Sequence, residues 1–258
     1  MVDDMFCGRD GNTGAKRRRK GMNNRRIAII TARGGSKRIP GKNIRPFCGK
    51  PILLYSVETA CMCGLFDEVM VSTDSEEIAG IARAGGAIVP FLRSSQTSGD
   101  YASTADVLLE VLNEYEKRGQ HFDTICCIYP TAPFVTPQKL ENAVKLLEAE
   151  EADCVVPIVR YSFPPQRAFV LRDGFTVMRY PEHAKSRSQD LEPYFHDCGQ
   201  FYCLRTASFL EQKKVFMDRM LSVEMPEMEV QDIDNETDWE LAELKYKLME
   251  KTNGQNHN

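Results

Sequence analysis

The sequence predicts an α/β protein: a mostly parallel sheet with helices on both faces. Three observations carry this. From Arg26 to Val159, short apolar runs alternate with helical patterns in strand–helix order. The first run, Ile27-Ala28-Ile29-Ile30, is apolar throughout, as a strand buried on both faces is, rather than alternating. It leads into a glycine-rich cationic loop, at the strand end where open α/β sheets bind ligands. With 258 residues the chain can bury a full core without disulfides or structural metals.

The elements follow in order. Pro51 at a first helical turn opens a helix with Ile52, Tyr55, Ser56 and Thr59 at helical spacing. Strands are expected at Glu68–Ser72, Ala87–Val89, Thr124–Tyr129 and Cys154–Val159. Helices are expected at Ser75–Ala84, from Ser103 or Thr104 through Leu112, and at Thr136–Ala149. The alternation breaks over residues 160–195, which hold Pro164, Pro165, Pro181 and many arginines; they read as an irregular or hairpin insertion. Regular order resumes at Gly199–Leu204, and a helix over Glu236–Glu250 closes the chain. Asn235 followed by Asp238 resembles a capping box at its start.

Composition excludes several classes. The net charge of −4 is a poor match to a nucleic-acid binder, whose footprint is a basic surface. No apolar run approaches the roughly 18 residues of a membrane span, and the acidic N-terminus lacks the pattern of a secretion signal. The nine cysteines are scattered, with no paired C-x-x-C, and read as thiols of a reducing cytoplasm. Residues 1–21, with Lys16-Arg17-Arg18-Arg19-Lys20, are expected to be a disordered basic tail and residues 251–258 a second tail, leaving 22–250 as one domain.

The chemistry is concentrated in Arg33-Gly34-Gly35-Ser36-Lys37-Arg38-Ile39-Pro40-Gly41-Lys42-Asn43. Glycines let backbone N–H groups approach an anion, and four cations stand ready for phosphates. The spacing is neither a Walker A loop nor G-x-G-x-x-G, which takes support from P-loop and dinucleotide readings. A phosphate-binding loop is expected.

This loop with Phe47-Cys48-Gly49-Lys50-Pro51 resembles the signature of the CMP-sugar synthetases, which activate nonulosonic acids with CTP. Val71–Asp74, Pro90–Arg93, Tyr129–Pro133, Arg187–Leu191, His196–Tyr202 and Gln231–Asp234 are similar to later blocks, so the resemblance spans about residues 26–247. The blocks around Arg187, His196 and Gln231 resemble the pseudaminic acid branch more than the neuraminic one. The resemblance implies a Rossmann-like nucleotidyltransferase fold and a homodimer whose insertion reaches the partner's site. It also implies attack of the sugar's anomeric hydroxyl on the α-phosphorus of CTP. Two departures stand out, Thr31 where Pro is common and Cys203 where Trp often follows Phe-Tyr; both read as local packing variation, with a change in one wall of the sugar pocket as the alternative for Cys203.

Roles follow from the resemblance and from side-chain chemistry. Arg33, Lys37 and Lys42 would hold the triphosphate, with Ser36 and the amides of Gly34 and Gly35 adding hydrogen bonds. The resemblance places Asn43 against the nucleotide and Arg93 with Thr104 at cytidine. Asp232 and Asp234, one residue apart, can share a face of an extended segment and converge on Mg2+; the alternative is two acids favoured by the following helix dipole. With Lys42 they form the catalytic set. Tyr129, Arg187, Gln189, Gln200 and Tyr202 are the sugar-site candidates, and Arg167 is a further cation for the sugar carboxylate. His196 reads either as a general base or as a structural histidine bonded to Asp197. Rival readings are a synthetase for neuraminic, legionaminic or 3-deoxy-octulosonic acid, and a non-catalytic nucleotide- or RNA-binding module.

Overall fold

A computed structural model describes residues 24–255; the expected tail over 1–21 lies outside them. In chain order the elements are β1 (Arg26–Thr31), β2 (Pro46–Phe47), β3 (Lys50–Pro51), α1 (Ile52–Met62), β4 (Glu68–Ser72), α2 (Glu76–Ala84), α3 (Ser95–Ser98), α4 (Thr104–Glu116), β5 (Thr124–Ile128), α5 (Pro137–Ala149) and β6 (Cys154–Arg160). Then come β7 (Phe169–Arg172), β8 (Phe175–Met178), β9 (Phe195–Asp197), β10 (Phe201–Arg205), α6 (Thr206–Gln212), β11 (Met220–Glu224) and α7 (Glu236–Gln255).

The main sheet runs β11-β6-β10-β5-β1-β4, with β9 also on β6. β4, β1 and β5 pair in parallel, as do β6 and β11, while β10 runs antiparallel between β5 and β6. Five strands therefore deliver their carboxyl ends to one edge. Within β1, Ala28 and Ile30 join the core under α1, α2 and α5, whereas Ile27 and Ile29 join the core under α4 and α6. All four are fully buried, and each of the three isoleucines contributes about 2 kcal/mol from burial. The uninterrupted apolar run is the consequence of two covered faces.

Helix starts follow local chemistry. Ser75 accepts from the Ile78 amide, Thr136 accepts from Lys139 ahead of Pro137, and Ser103 with Asp106 forms a capping box on α4. At α7, Asn235 Oδ1 accepts from the Asp238 amide at 3.0 Å and Asp238 Oδ2 accepts from the Asn235 amide at 3.0 Å. Asp performs the reciprocal role usually given to Glu or Gln.

Three expectations need correction. Ala87–Val89 makes a single parallel bridge, Met70 to Ile88, and no strand, because the chain turns away at Pro90. The last helix continues to Gln255, so the expected tail from 251 is helical over most of its length. Helix α6 and strand β11 went unforeseen. β11 lies at the sheet edge and buries no residue completely, so its apolar signal is weak.

The insertion contains the hairpin β7–β8 and three short 3₁₀ turns, and it stands off the main sheet. It exposes Phe163, Phe169, Leu171 and Phe175. A third apolar cluster lies beside the loop after β1. Here Phe47 packs edge-on against Tyr55, Trp239 and Tyr246 at 5.5–5.6 Å, which fixes α7 against α1.

Candidate active site

The loop after β1 is tied down at both ends. Asp74, just past β4, accepts from the Gly34 amide at 2.8 Å, and a Cβ on Gly34 would lie 3.3 Å from Ser75 Cβ. Gly34 therefore serves close packing, and its amide is taken by the Asp74 carboxylate. Gly35 has open space around it, and the Ser36 amide donates within the loop to the Gly34 carbonyl. Ile39 is buried in the third cluster. Gly41 at φ +63° starts the 3₁₀ turn Lys42–Ile44, and buried Asn43 closes the loop by donating to the Arg33 carbonyl at 2.8 Å.

The cations of this loop project into a cleft of about 410 Å³ at the carboxyl edge of the sheet. Its walls are Thr31, Arg33, Ser36, Lys37, Arg38, Lys42, Asn43, Asp100, Thr104, Tyr129, Pro130 and Thr131. A larger cavity of about 840 Å³, walled by Leu112, Phe122, Asp123 and Arg205, lies where β5 begins and β10 ends, away from the loop's cations.

Opposite the loop runs the extended segment before α7. Ile233 is buried, and about 2 kcal/mol of burial anchors the segment in the third cluster. Because alternate side chains of an extended segment face oppositely, Asp232 and Asp234 are directed away from that core. Lys42 Nζ donates to the Ile233 carbonyl at 2.7 Å, Arg38 pairs with Asp234 at 2.7 Å, and the Asp234 amide donates to Asp238 at 2.9 Å. Desolvation pulls the Lys42 ammonium below its ordinary value against the opposing pull of Asp234 and Asp232. Desolvation and the neighbouring Asp234 push the Asp232 carboxyl up, with Lys42 opposing. Phosphate loop and acid segment thus form one electrostatic unit.

The remaining candidates divide. Thr104 and Tyr129 meet in the cleft wall, their hydroxyls 3.1 Å apart, and burial raises the Tyr129 phenol. Tyr202 packs edge-on behind Tyr129 and donates to Asp197 at 2.5 Å. Burial raises its phenol strongly, so it remains a donor. Gln200 is buried behind Tyr129, where its side-chain amide donates to the Glu229 carbonyl at 2.6 Å. Arg93 is buried beneath the end of β4, its guanidinium donating to the Ser72 hydroxyl and carbonyl at 3.0 and 2.6 Å. Burial lowers its pKa.

Arg187 and Gln189 are not brought to the cleft of their own chain. Arg187 is exposed on the insertion and paired with Asp190 at 2.7 Å, and Gln189 borders a separate cavity near Tyr161 and Glu227. Arg167 is also exposed on the insertion. His196 contacts the backbone carbonyl of Asp197, whose carboxylate is taken by Tyr202. Cys203 is fully buried, its sulfur 3.4 Å from that of Cys126, so it belongs to the core and not to a pocket wall.

Sequence reasoning missed Asp100, read Asp238 only as a helix cap, and gave Asp74 and Arg38 no individual role. Asp238 partners the acid segment from nearby in sequence, whereas Arg38 reaches it from the other end of the chain. Asp100 reaches the loop across more than sixty residues, a contact without a local signal.

A cation-rich loop following the first strand of such a sheet, with two acids held opposite it, defines a nucleotidyltransferase-type site. The chain belongs to the cytidylyltransferase family, whose description matches residues 27–255. Membership sets aside the reading of a non-catalytic module. The chain is 40% identical over 223 residues to a pseudaminic acid cytidylyltransferase of Campylobacter jejuni, covering 86% of this chain and 96% of that protein. It is 31% identical over 231 residues to the CMP-N,N'-diacetyllegionaminic acid synthase of Legionella pneumophila, covering 87% and 96%. The solved structure of CMP:2-keto-3-deoxy-manno-octonic acid synthetase complexed with CTP matches with a TM-score of 0.63 at 18% identity, over 88% of this chain and 99% of that one. That likeness is one of fold.

Proposed function

We propose that this chain transfers CMP from CTP to the anomeric hydroxyl of pseudaminic acid, releasing pyrophosphate. The observation that carries the reading is the four-cation loop tied through Lys42 and Arg38 to the segment that bears Asp232 and Asp234, in a chain 40% identical to a pseudaminic acid cytidylyltransferase. The anomeric oxygen attacks the α-phosphorus as its hydroxyl proton passes to water, the bond from that phosphorus to the bridging oxygen breaks, and pyrophosphate leaves with the electron pair. Arg33, Lys37 and Lys42 hold the triphosphate and neutralise the leaving group. Asn43 and Thr104 lie where they can contact the nucleoside, with Arg93 bracing the neighbouring strand end.

Asp232 and Asp234 suit Mg2+, which takes one or two carboxylates and completes its shell with water and phosphate oxygens. No cluster of three or more ligating side chains occurs among the described residues, and a two-carboxylate site needs none. Bound there, the cation supplies charge stabilisation on the α-phosphate and lowers the pKa of a hydroxyl it touches. Tyr129 stands on the sugar side of the cleft, with buried Tyr202 packed against it and buried Gln200 held to the Glu229 carbonyl. The exposed apolar face of the insertion supports a homodimer in which Arg187 and Gln189 complete the partner's sugar site. Among the described residues no helix is long and apolar enough to cross a membrane.

The test is a panel of nonulosonic acids incubated with CTP and Mg2+, following pyrophosphate and the CMP-sugar. Preferred turnover of pseudaminic acid is expected. Strong preference for neuraminic or legionaminic acid reassigns the sugar, and no turnover of any member removes the reading.

A further inference from the structure

Each cation of the phosphate loop already has a partner from the chain, and one partner differs from the others. Arg38 and Lys42 are bound to the acid segment, which buried Ile233 anchors. Arg33 and Lys37 are bound by Asp100, in the turn between α3 and α4. One oxygen of Asp100 accepts from Arg33 at 2.9 Å and the other from Lys37 at 2.5 Å, and the residue lines the cleft. A carboxylate bridging two cations with two oxygens is a chemical stand-in for a phosphate. Its turn lacks the anchor the acid segment has: Gly99 has open space around it, and Tyr101 is fully exposed. The Asp100 pairs are themselves solvent-exposed, the class of ion pair that is weakest in proteins.

We propose that Asp100 is the internal counter-anion of the phosphate cradle. It neutralises Arg33 and Lys37 between turnovers, gives way to the incoming polyphosphate, and re-engages the two cations as pyrophosphate departs. The proposal rests on the reading of this loop as the triphosphate site. Because the competitor is tethered, its effective concentration is constant and it weakens every polyanion at the cradle by the same factor. Asp100 therefore sets a limit on how tightly the leaving pyrophosphate is held.

Pyrophosphate binding to the full chain, measured calorimetrically without metal, tests this directly. Asp100→Asn and Asp100→Ala should each bind pyrophosphate about three- to tenfold more tightly than the wild type, the scale of one or two exposed ion pairs. In turnover both should show a lower KM for CTP and stronger product inhibition by pyrophosphate. The gain should shrink when Lys37→Ala is introduced first, which a general loosening of the loop would not produce. Unchanged or weaker pyrophosphate binding in both variants overturns the proposal, because Asp100 would then be ordering the cations for the ligand. A chain that binds pyrophosphate but activates no nonulosonic acid loses the proposed function and leaves Asp100 in its role. A wild-type chain that binds no pyrophosphate loses the cradle and this proposal together.

Discussion

The phosphate-loop half of the cleft and the insertion between β6 and β9 are built on opposite principles. In the first half, residues distant in sequence are locked together: Asn43 closes the loop, Asp74 holds Gly34, and Lys42 and Arg38 bind the segment before α7. The insertion has a short hairpin, exposed aromatic side chains, and a cationic candidate, Arg187, that pairs only with its neighbour Asp190. A preorganised half suits a ligand whose charges are always the same, because fixed donors cost no reorganisation when charge develops. An outward-facing arm suits a site completed by another surface. On the proposed dimer reading, one chain carries its nucleotide side complete and leaves its sugar side to be completed by a second copy.

Asp234→Asn is the strongest way to break this contrast. It keeps size and hydrogen bonding but removes a charged oxygen, so turnover should fall about a hundredfold or more while metal-free CTP binding stays nearly constant. Wild-type turnover across a magnesium titration would show that the Asp234 carboxylate serves only as a surface partner of Arg38.

Lys42→Ala should show the reverse emphasis. Loss of a charge-assisted contact should weaken metal-free CTP binding about tenfold or more, read by calorimetry. If CTP binding holds and only the melting temperature drops, Lys42 is a strut to the Ile233 carbonyl and no phosphate ligand.

Arg187→Ala sharpens the other side. If the insertion completes a partner's sugar site, kcat/KM for the sugar should fall about tenfold with CTP affinity unchanged. Leu171→Asp, on the exposed hairpin, should reproduce that loss while converting a dimer to a monomer in light scattering. An active monomer would show that each cleft is complete in itself.

The smallest effect concerns the capping box that sets Thr104 in the cleft wall. Hydrogen bonds from the Ser103 side chain and backbone hold the Asp106 carboxyl below its ordinary value. A group depressed in the folded state contributes stability above its unfolded pKa of about 4 and loses it as pH falls through the folded value. Asp106→Asn should thus melt slightly below the wild type at pH 7. The two melting curves should converge in acid, and a constant gap down to pH 2 would refute the linkage.

The readable parts of the sequence were those whose physics is local. A buried parallel strand needs an apolar run, and Ile27–Ile30 is one. Helix N-termini need caps, and Ser75, Ser103, Thr136 and Asn235 supply them. The glycine-rich cationic loop advertised a phosphate site from composition and position alone. Strand β11 was obscured because an edge strand needs little apolar patterning. Cys203 stood between core packing and a pocket wall because motif position does not reveal which helix-covered face of the sheet a β10 side chain enters.

By itself, then, the sequence determined the α/β architecture and singled out the cation-rich loop and the pair of acids as candidates, since periodicity, caps and glycine spacing act within a few residues of each other. Tertiary structure alone decided the partners of those groups. Asp100 on Arg33 and Lys37, the Ile233 carbonyl on Lys42, and the separation of Arg187 from its own cleft each join or part residues tens of positions or more apart. Such pairings depend on how the sheet edge, α7 and the insertion converge in space, and local patterning carries no record of that convergence.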